Sequence, residues 1–225
     1  MQKNKLQGAQ IEAVFFDLDG TLVDSAADLI AAMNRLRAEL NEAPVDPAAV
    51  ERVVSKGGRA MLRRGFPDAD ESRIETLLPR FLHLYAERIA IHTRPFPGID
   101  EVLSGLEARA IRWGIVTNKP GHLARAVVAQ LALDTRSAAL VSGDCLPLRK
   151  PDPAPLLHAA GLAGVAPARS VYVGDDARDI QAGRGAGMMT IAAAWGYLDG
   201  EDPNGWGADC VVATPQQLLA TLGLD

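Results

Sequence analysis

The sequence predicts an α/β protein: a doubly wound parallel sheet core with an all-α segment inserted near its start. Three observations carry that expectation. Six short apolar runs are spread along the chain. Helical patterns separate most of the last five, the alternation expected of a doubly wound sheet. Between the first and second runs lie about seventy residues of helical character with no convincing strand, far more than an ordinary loop.

The six runs are Ala13–Phe16, Trp113–Thr117, Ala139–Ser142, Val171–Gly174, Thr190–Ala193 and Cys210–Val212. Most are continuously apolar, which suits strands buried on both faces of a parallel sheet. The helical patterns are Leu123–Leu131, Pro155–Gly161 and Ile180–Gly185, with Gln216–Leu222 closing the chain. In the inserted stretch, Leu29, Ile30, Met33, Leu36 and Leu40 recur at helical spacing, and Ser25 with Asp28 reads as a capping box at the start. Pro47–Val54 and Arg59–Gly65 predict two shorter helices. Ile74, Leu77, Leu78, Phe81, Leu82, Tyr85 and Ile89 predict a longer one, which Pro79 should kink or split. The expected division is residues 1–24 and 95–225 for the core and 25–94 for a helical cap, with linkers near Leu22–Ser25 and Thr93–Gly98.

Composition narrows the function. The chain has 225 residues, 48% of them hydrophobic, enough for a core and a smaller second domain. A net charge of -5 without a basic patch argues against nucleic acid. The densest basic group, Arg59, Arg63 and Arg64, reads mainly as a solvated helix face. No apolar run reaches the roughly 18 residues of a membrane span. Cys145 and Cys210 stand far apart and form no zinc pattern or disulfide framework, so reduced, mostly buried thiols are expected. Met1 to Gln10 is polar and reads as a loose tail, not a secretory signal. By elimination these features point to the cytoplasm; a monomer or a small homo-oligomer is expected, with the choice left open.

The chemistry lies where strands deliver ligands in open α/β sheets, beyond their carboxyl ends. The first run leads into Asp17-Leu18-Asp19-Gly20-Thr21 and the second into Thr117-Asn118-Lys119-Pro120. Arg149-Lys150-Pro151 follows the third, and the fourth ends in Gly174-Asp175-Asp176-Ala177-Arg178-Asp179. Clustered carboxylates need a cation to stay ionised, and oxygen-only ligands favour Mg²⁺ or Ca²⁺ over zinc. Mg²⁺ commonly shares one or two carboxylates with a substrate phosphate. A carboxylate can attack phosphorus, while an amine and a hydroxyl hold the other phosphoryl oxygens. A second carboxyl two residues along, Asp19, can protonate the leaving alcohol and later activate water.

These four passages, in this order, resemble the four motifs of the haloacid-dehalogenase-like (HAD) superfamily, and the likeness extends over nearly the whole chain, helical cap included. The resemblance implies a Rossmann-like core and a Mg²⁺-dependent phosphatase acting on a small phosphorylated metabolite. It implies Asp17 as nucleophile and metal ligand, and Asp19 as general acid/base with its backbone carbonyl on the metal. It further implies Thr117 and Asn118 as phosphate-binding, Lys150 as the residue that neutralises phosphate and orients Asp17, and Asp175 as the acidic metal ligand. Asp176 and Asp179 are left between ligation through water and holding Lys150. True dehalogenases of the superfamily lack the second carboxylate of the first motif, so Asp19 points to phosphate chemistry. The chain looks most like the phosphoglycolate phosphatase-like group and is similar to its bacterial N-acetylmuramic acid 6-phosphate phosphatases. That likeness is carried by Val54-Ser55-Lys56-Gly57-Gly58-Arg59-Ala60-Met61, Val116-Thr117-Asn118-Lys119-Pro120 and Asn204-Gly205-Trp206-Gly207-Ala208-Asp209.

Plainer readings stand beside these. Asn118-Lys119-Pro120 is also a helix start, whose N-terminus would help bind phosphate. Lys56-Gly57-Gly58-Arg59 is either a helix–helix turn or a cap loop from which Lys56 or Arg59 reaches substrate. Gly183-x-Gly185-x-Gly187 has the wrong order of flanking elements for a dinucleotide fingerprint. His83, His122 and His158 lack partners at ligand spacing and read as structural, and His92 as a hinge or surface residue. Tyr197 and Trp206 flank a loop that they should pack against the core. A phosphosugar mutase shares the same motifs but passes the phosphoryl group to a second hydroxyl. A signalling receiver domain also uses a strand-end Asp, but it has no counterpart of Asp19 or of the cap.

Overall fold

The computed structural model describes residues 10–224, so the stretch read as a tail lies, apart from Gln10, outside the described residues. Six strands form one parallel sheet: β1 (Ala13–Phe16), β4 (Arg112–Val116), β5 (Leu140–Val141), β6 (Ser170–Gly174), β7 (Met189–Ala193) and β8 (Cys210–Val212). Their spatial order is β5-β4-β1-β6-β7-β8. The sheet therefore grows outward in both directions from β1, and its order reverses between β1 and β6, where open α/β sheets bind ligands. Two further strands of two residues each, β2 (Val23–Asp24) and β3 (Arg94–Pro95), pair antiparallel. They fall within Leu22–Ser25 and Thr93–Gly98, the two stretches at the ends of the helical insert.

Period-two alternation places neighbouring side chains on opposite faces of the sheet. On one face, Val14 and Phe16 pack with α5 (Ile99–Ala108), α6 (Gly121–Gln130) and α9 (Leu218–Thr221). On the other, Ala13, Phe15 and Tyr172 pack with α7 (Ala154–Ala163) and α8 (Ala177–Gly185). All these strand residues are fully buried, as continuously apolar runs require. The reading assigned no element to α5, yet Ile99, Val102, Leu103 and Leu106 recur at helical spacing and all are buried.

The inserted stretch forms α1 (Ala26–Glu39), α2 (Pro47–Glu51), a 3₁₀ turn at Val54–Lys56, α3 (Gly58–Gly65) and α4 (Glu71–Ala86). Its apolar residues make a second core around Met33, Leu36, Met61, Leu62, Phe81 and Leu84, which reaches the sheet domain at Leu123 and Tyr197.

Three expectations are corrected. The long helix α4 is not split at Pro79, which sits inside it on the solvent side, where water can satisfy the carbonyl one turn back. Ser25 and Asp28 form no capping box: the Ser25 hydroxyl donates to Asp19 Oδ1 at 2.6 Å. Asp28 instead accepts from the amides of His92 and Thr93 and the Thr93 hydroxyl, tying the return strand to the start of α1. The cysteines are free but not buried, Cys145 being exposed in the turn after β5 and Cys210 half-buried. Among the described residues, no helix is long and apolar enough to cross a membrane.

Candidate active site

Asp17 and Asp19 follow β1 directly. The β1–β6 ladder continues into the motif, with the Asp17 amide donating to Val173 O at 2.9 Å. The chain then reverses at Gly20, whose φ of +84° favours a residue without Cβ. A Cβ there would stand 2.0 Å from Asp175 Oδ2 and 2.5 Å from Ser55 Oγ. The glycine thus lets Asp175, from the end of β6, come against the first motif.

Lys150 links the two strand ends from beneath. Its buried ammonium lies 2.9 Å from Asp17 Oδ1 and 2.7 Å from Asp179 Oδ1, and donates to Val116 O and the Tyr172 hydroxyl. Burial alone would lower this lysine, but the Asp17 and Asp179 carboxylates hold it above its ordinary value. Asn118 pins the Lys150 backbone with both ends of its amide: Nδ2 donates to Lys150 O, and Oδ1 accepts from Lys150 N. The Lys150–Pro151 peptide is cis. Thr117 is buried at the end of β4, its hydroxyl accepting from the Lys119 amide.

Asp17, Asp175 and Asp179 each offer a carboxylate oxygen within 4.8 Å of the others, and all are buried. The Asp175 carboxyl is pushed up to about 8, first by burial and then by the Asp17 and Asp179 carboxylates. Burial also raises Asp179, against the pull of Lys150. A cluster with this much uncompensated negative charge, built only of oxygen donors, fits a hard divalent cation. Within it Asp179 is committed elsewhere, Oδ1 to Lys150 and Oδ2 to the Asp176 amide. Asp176 caps α8, pairs with Arg178 at 2.7 Å and with Lys56 at 3.2 Å. Burial works against its ionisation, but Arg178 lowers it below the usual carboxylate range. Of the two acids left open by sequence, Asp179 is the one that holds Lys150.

Four contributors escaped the sequence reading. Lys119, nine-tenths buried, donates to both oxygens of Asp19 at 2.9 and 3.0 Å. Burial would depress its ammonium, but Asp19 and Tyr85 raise it. Tyr85 comes from α4 and lays its ring 4.6 Å from that ammonium, with its own buried hydroxyl unpaired. Ser55, on the cap turn, donates to Asp175 Oδ2 at 2.6 Å and to the Asp19 carbonyl at 3.3 Å. Tyr172 supports Lys150 from the middle of β6. Only Lys119 had a local signal, a lysine just past a strand end. The others face the site through contacts far apart in sequence.

Tyr197 does more than pack its loop. Its amide donates to Asp175 Oδ2, while its hydroxyl accepts from the Ser25 and Ala26 amides and donates to Asp24. The Trp206 indole donates to Glu201 at the surface.

The cap closes over a cavity of about 110 Å³ that reaches Asp17, Asp19, Thr117, Asn118 and Lys119. Its cap side is mostly apolar, with Leu29, Val54, Met61 and Phe81. Lys56 lines this chamber, bonded to Asp176 and Glu201. Arg59 does not; it lines only an outer groove and pairs with Glu75.

A two-layered site of this kind, with strand-end carboxylates and a buried lysine under a helical cover, defines a class of hydrolases. The chain belongs to the haloacid dehalogenase-like hydrolase family, which matches residues 14–193. It is 47% identical over 207 residues to a phosphoglycolate phosphatase of Xanthomonas campestris pv. campestris (strain 8004), covering 92% of this chain and 94% of that one. It is 43% identical over 215 residues to the N-acetylmuramic acid 6-phosphate phosphatase of Pseudomonas aeruginosa PAO1, covering 95% of each. Within the family, the chain is a phosphatase. Its fold superposes with a TM-score of 0.84 on a crystal structure from Haemophilus somnus 129PT described as a predicted phosphoglycolate phosphatase, at 25% identity and covering 95% of this chain and 98% of that one.

Proposed function

We propose that this enzyme is a Mg²⁺-dependent hydrolase of a small phosphomonoester, of the phosphoglycolate or N-acetylmuramic acid 6-phosphate type, and that it works through a phospho-aspartate on Asp17. The observation that carries the reading is the Lys150 ammonium seated between Asp17 and Asp179, with Asp175 beside them at the reversal of the sheet. Mg²⁺ would be held by Asp17, Asp175 and the Asp19 carbonyl, and would neutralise the meeting of two anions, nucleophile and substrate.

The chain's own residues account for the remaining steps. Among the described residues the Leu18 amide and Lys150 both meet Asp17 at Oδ1, which fixes the carboxylate's orientation. Thr117 and Asn118 line the chamber beside Asp17 and, with Lys150, would receive the phosphoryl oxygens; Pro120, the N-cap of α6, lines the same chamber. Asp17 attacks phosphorus; the bond to the leaving oxygen breaks as Asp19 gives that oxygen a proton. Asp19 then takes a proton from water, which attacks phosphorus and frees Asp17 with release of phosphate. In this structure Lys119 and the Ser25 hydroxyl hold the Asp19 carboxylate at the chamber wall. The closed cap shields the site from bulk water.

The test is phosphate release with Mg²⁺ from phosphoglycolate, N-acetylmuramic acid 6-phosphate and a generic aryl phosphate. The wild type should hydrolyse at least one, and Asp17→Asn should lose activity by about 10³-fold or more with its fold intact by circular dichroism. Retained turnover in that variant would remove Asp17 from the nucleophile role.

A further inference from the structure

Outside the chamber the cap and core leave a groove of about 440 Å³. Every ionisable residue lining it is cationic: Lys56, Arg59, Arg63, Arg149, Lys150 and Arg178. It shares Lys56, Gly57, Gly58, Asn118, Pro120 and Arg178 with the chamber, so the groove continues it. A substrate held by its phosphoryl group at Asp17 extends its leaving group along this path.

Five of the six cations already face a carboxylate. Lys56 meets Asp176 and Glu201, Arg178 meets Asp176, and Lys150 meets Asp17 and Asp179. On the cap wall Arg59 is clamped by Glu75 and Arg63 by Glu71. Arg149 is the exception among the described residues: its exposed guanidinium has no ion pair or side-chain hydrogen bond. It is the residue immediately before Lys150 and stands on the core wall of the groove. An unpaired cation among paired ones, in a cleft without acids, draws an anion. A guanidinium presents a planar fork that matches a carboxylate in bidentate fashion.

Resting on the phosphatase reading above, we propose that the leaving alcohol of the substrate carries a carboxylate beyond the reach of the inner chamber, and that Arg149 receives it. The apolar cap wall of the chamber accommodates the carbon skeleton between the two anionic ends. Arg149 is then a specificity-determining residue, because it acts on the part of the substrate that does not react.

Two probes isolate the carboxylate: N-acetylmuramic acid 6-phosphate, and N-acetylglucosamine 6-phosphate, the same sugar without the lactyl ether. The wild type should prefer the first in kcat/KM by about 20-fold or more, and the preference should shrink at high salt. Arg149→Gln should reduce that preference to about threefold or less, chiefly by raising KM for the carboxylated sugar, and Arg149→Lys should restore part of it. A preference unchanged by Arg149→Gln overturns the inference and leaves the phosphatase reading in place. So does hydrolysis of an aryl phosphate or phosphoglycolate with neither sugar accepted. Phosphate release from no member of the panel, aryl phosphate included, overturns both.

Discussion

The strand-end site and the cap use the same kinds of ion pair in opposite settings. At the strand ends, Asp17, Lys150, Asp175 and Asp179 are buried and each is held by several partners, many of them backbone groups. On the cap surface, Arg59–Glu75, Arg63–Glu71 and Arg80–Glu39 are exposed and hold one another. Burial multiplies the strength of a charge and also the cost of misplacing it, whereas solvent screens the surface pairs. The proposed chemistry therefore sits where the backbone holds every group in place, and the surface pairs of the cap are less constrained.

The sharpest way to break this contrast is Gly20→Ala. A single methyl there meets Asp175 and Ser55 on a backbone of positive φ. A shift of the carboxylate by about 1 Å costs about 10²-fold in kcat/KM. A variant with near-normal kinetics would mean that the strand-end site tolerates displacement. The next effect is in pH. Without Mg²⁺ the folded protein keeps a proton on Asp175 up to about 8, while the unfolded chain releases it near its ordinary value of 3.8. The folded state then binds more protons across that interval, so stability without metal falls as pH rises from about 4 to about 8. On the proposed reading Mg²⁺ would compete with that proton, and the rise in Tm on adding it should be larger near about pH 8 than near about pH 5.5. Calorimetry with chelator and with Mg²⁺ measures both; a metal effect independent of pH would remove Asp175 as a ligand. The smallest effect belongs to the cap surface. Arg80→Ala, which opens the exposed pair with Glu39, should move Tm by less than about 2 °C and leave kcat/KM within about twofold.

What was legible in the sequence follows the same division. The six strands and the four strand-end passages are local patterns, and each stands where its own few residues place it. Lys119 could be read the same way, as a lysine just past a strand end. Ser55 and Tyr85 meet the site only after the cap folds onto it, and no spacing within α4 or the Val54–Lys56 turn announces an approach to Asp175 or Lys119. Ser25 misled because its local pattern is a good cap signal; a stronger acceptor, Asp19, took the hydroxyl. Pro79 leaves α4 unsplit because it stands on the side of the helix that meets water.

The sheet's order of growth also sets an order of assembly. Ala13 pairs with Arg112 on one side and with Ser170 on the other, so both ladders of β1 join residues about a hundred or more positions apart. The contacts of α1 with α4 and of α3 with α4 close over much shorter distances and need nothing from the sheet. Local contacts form fastest, and loop closure penalises the distant ones. The helical insert can thus close on itself over a shorter stretch of chain than either ladder of β1 requires. The cluster of Asp17, Asp175 and Asp179 is complete only when β6 lies beside β1.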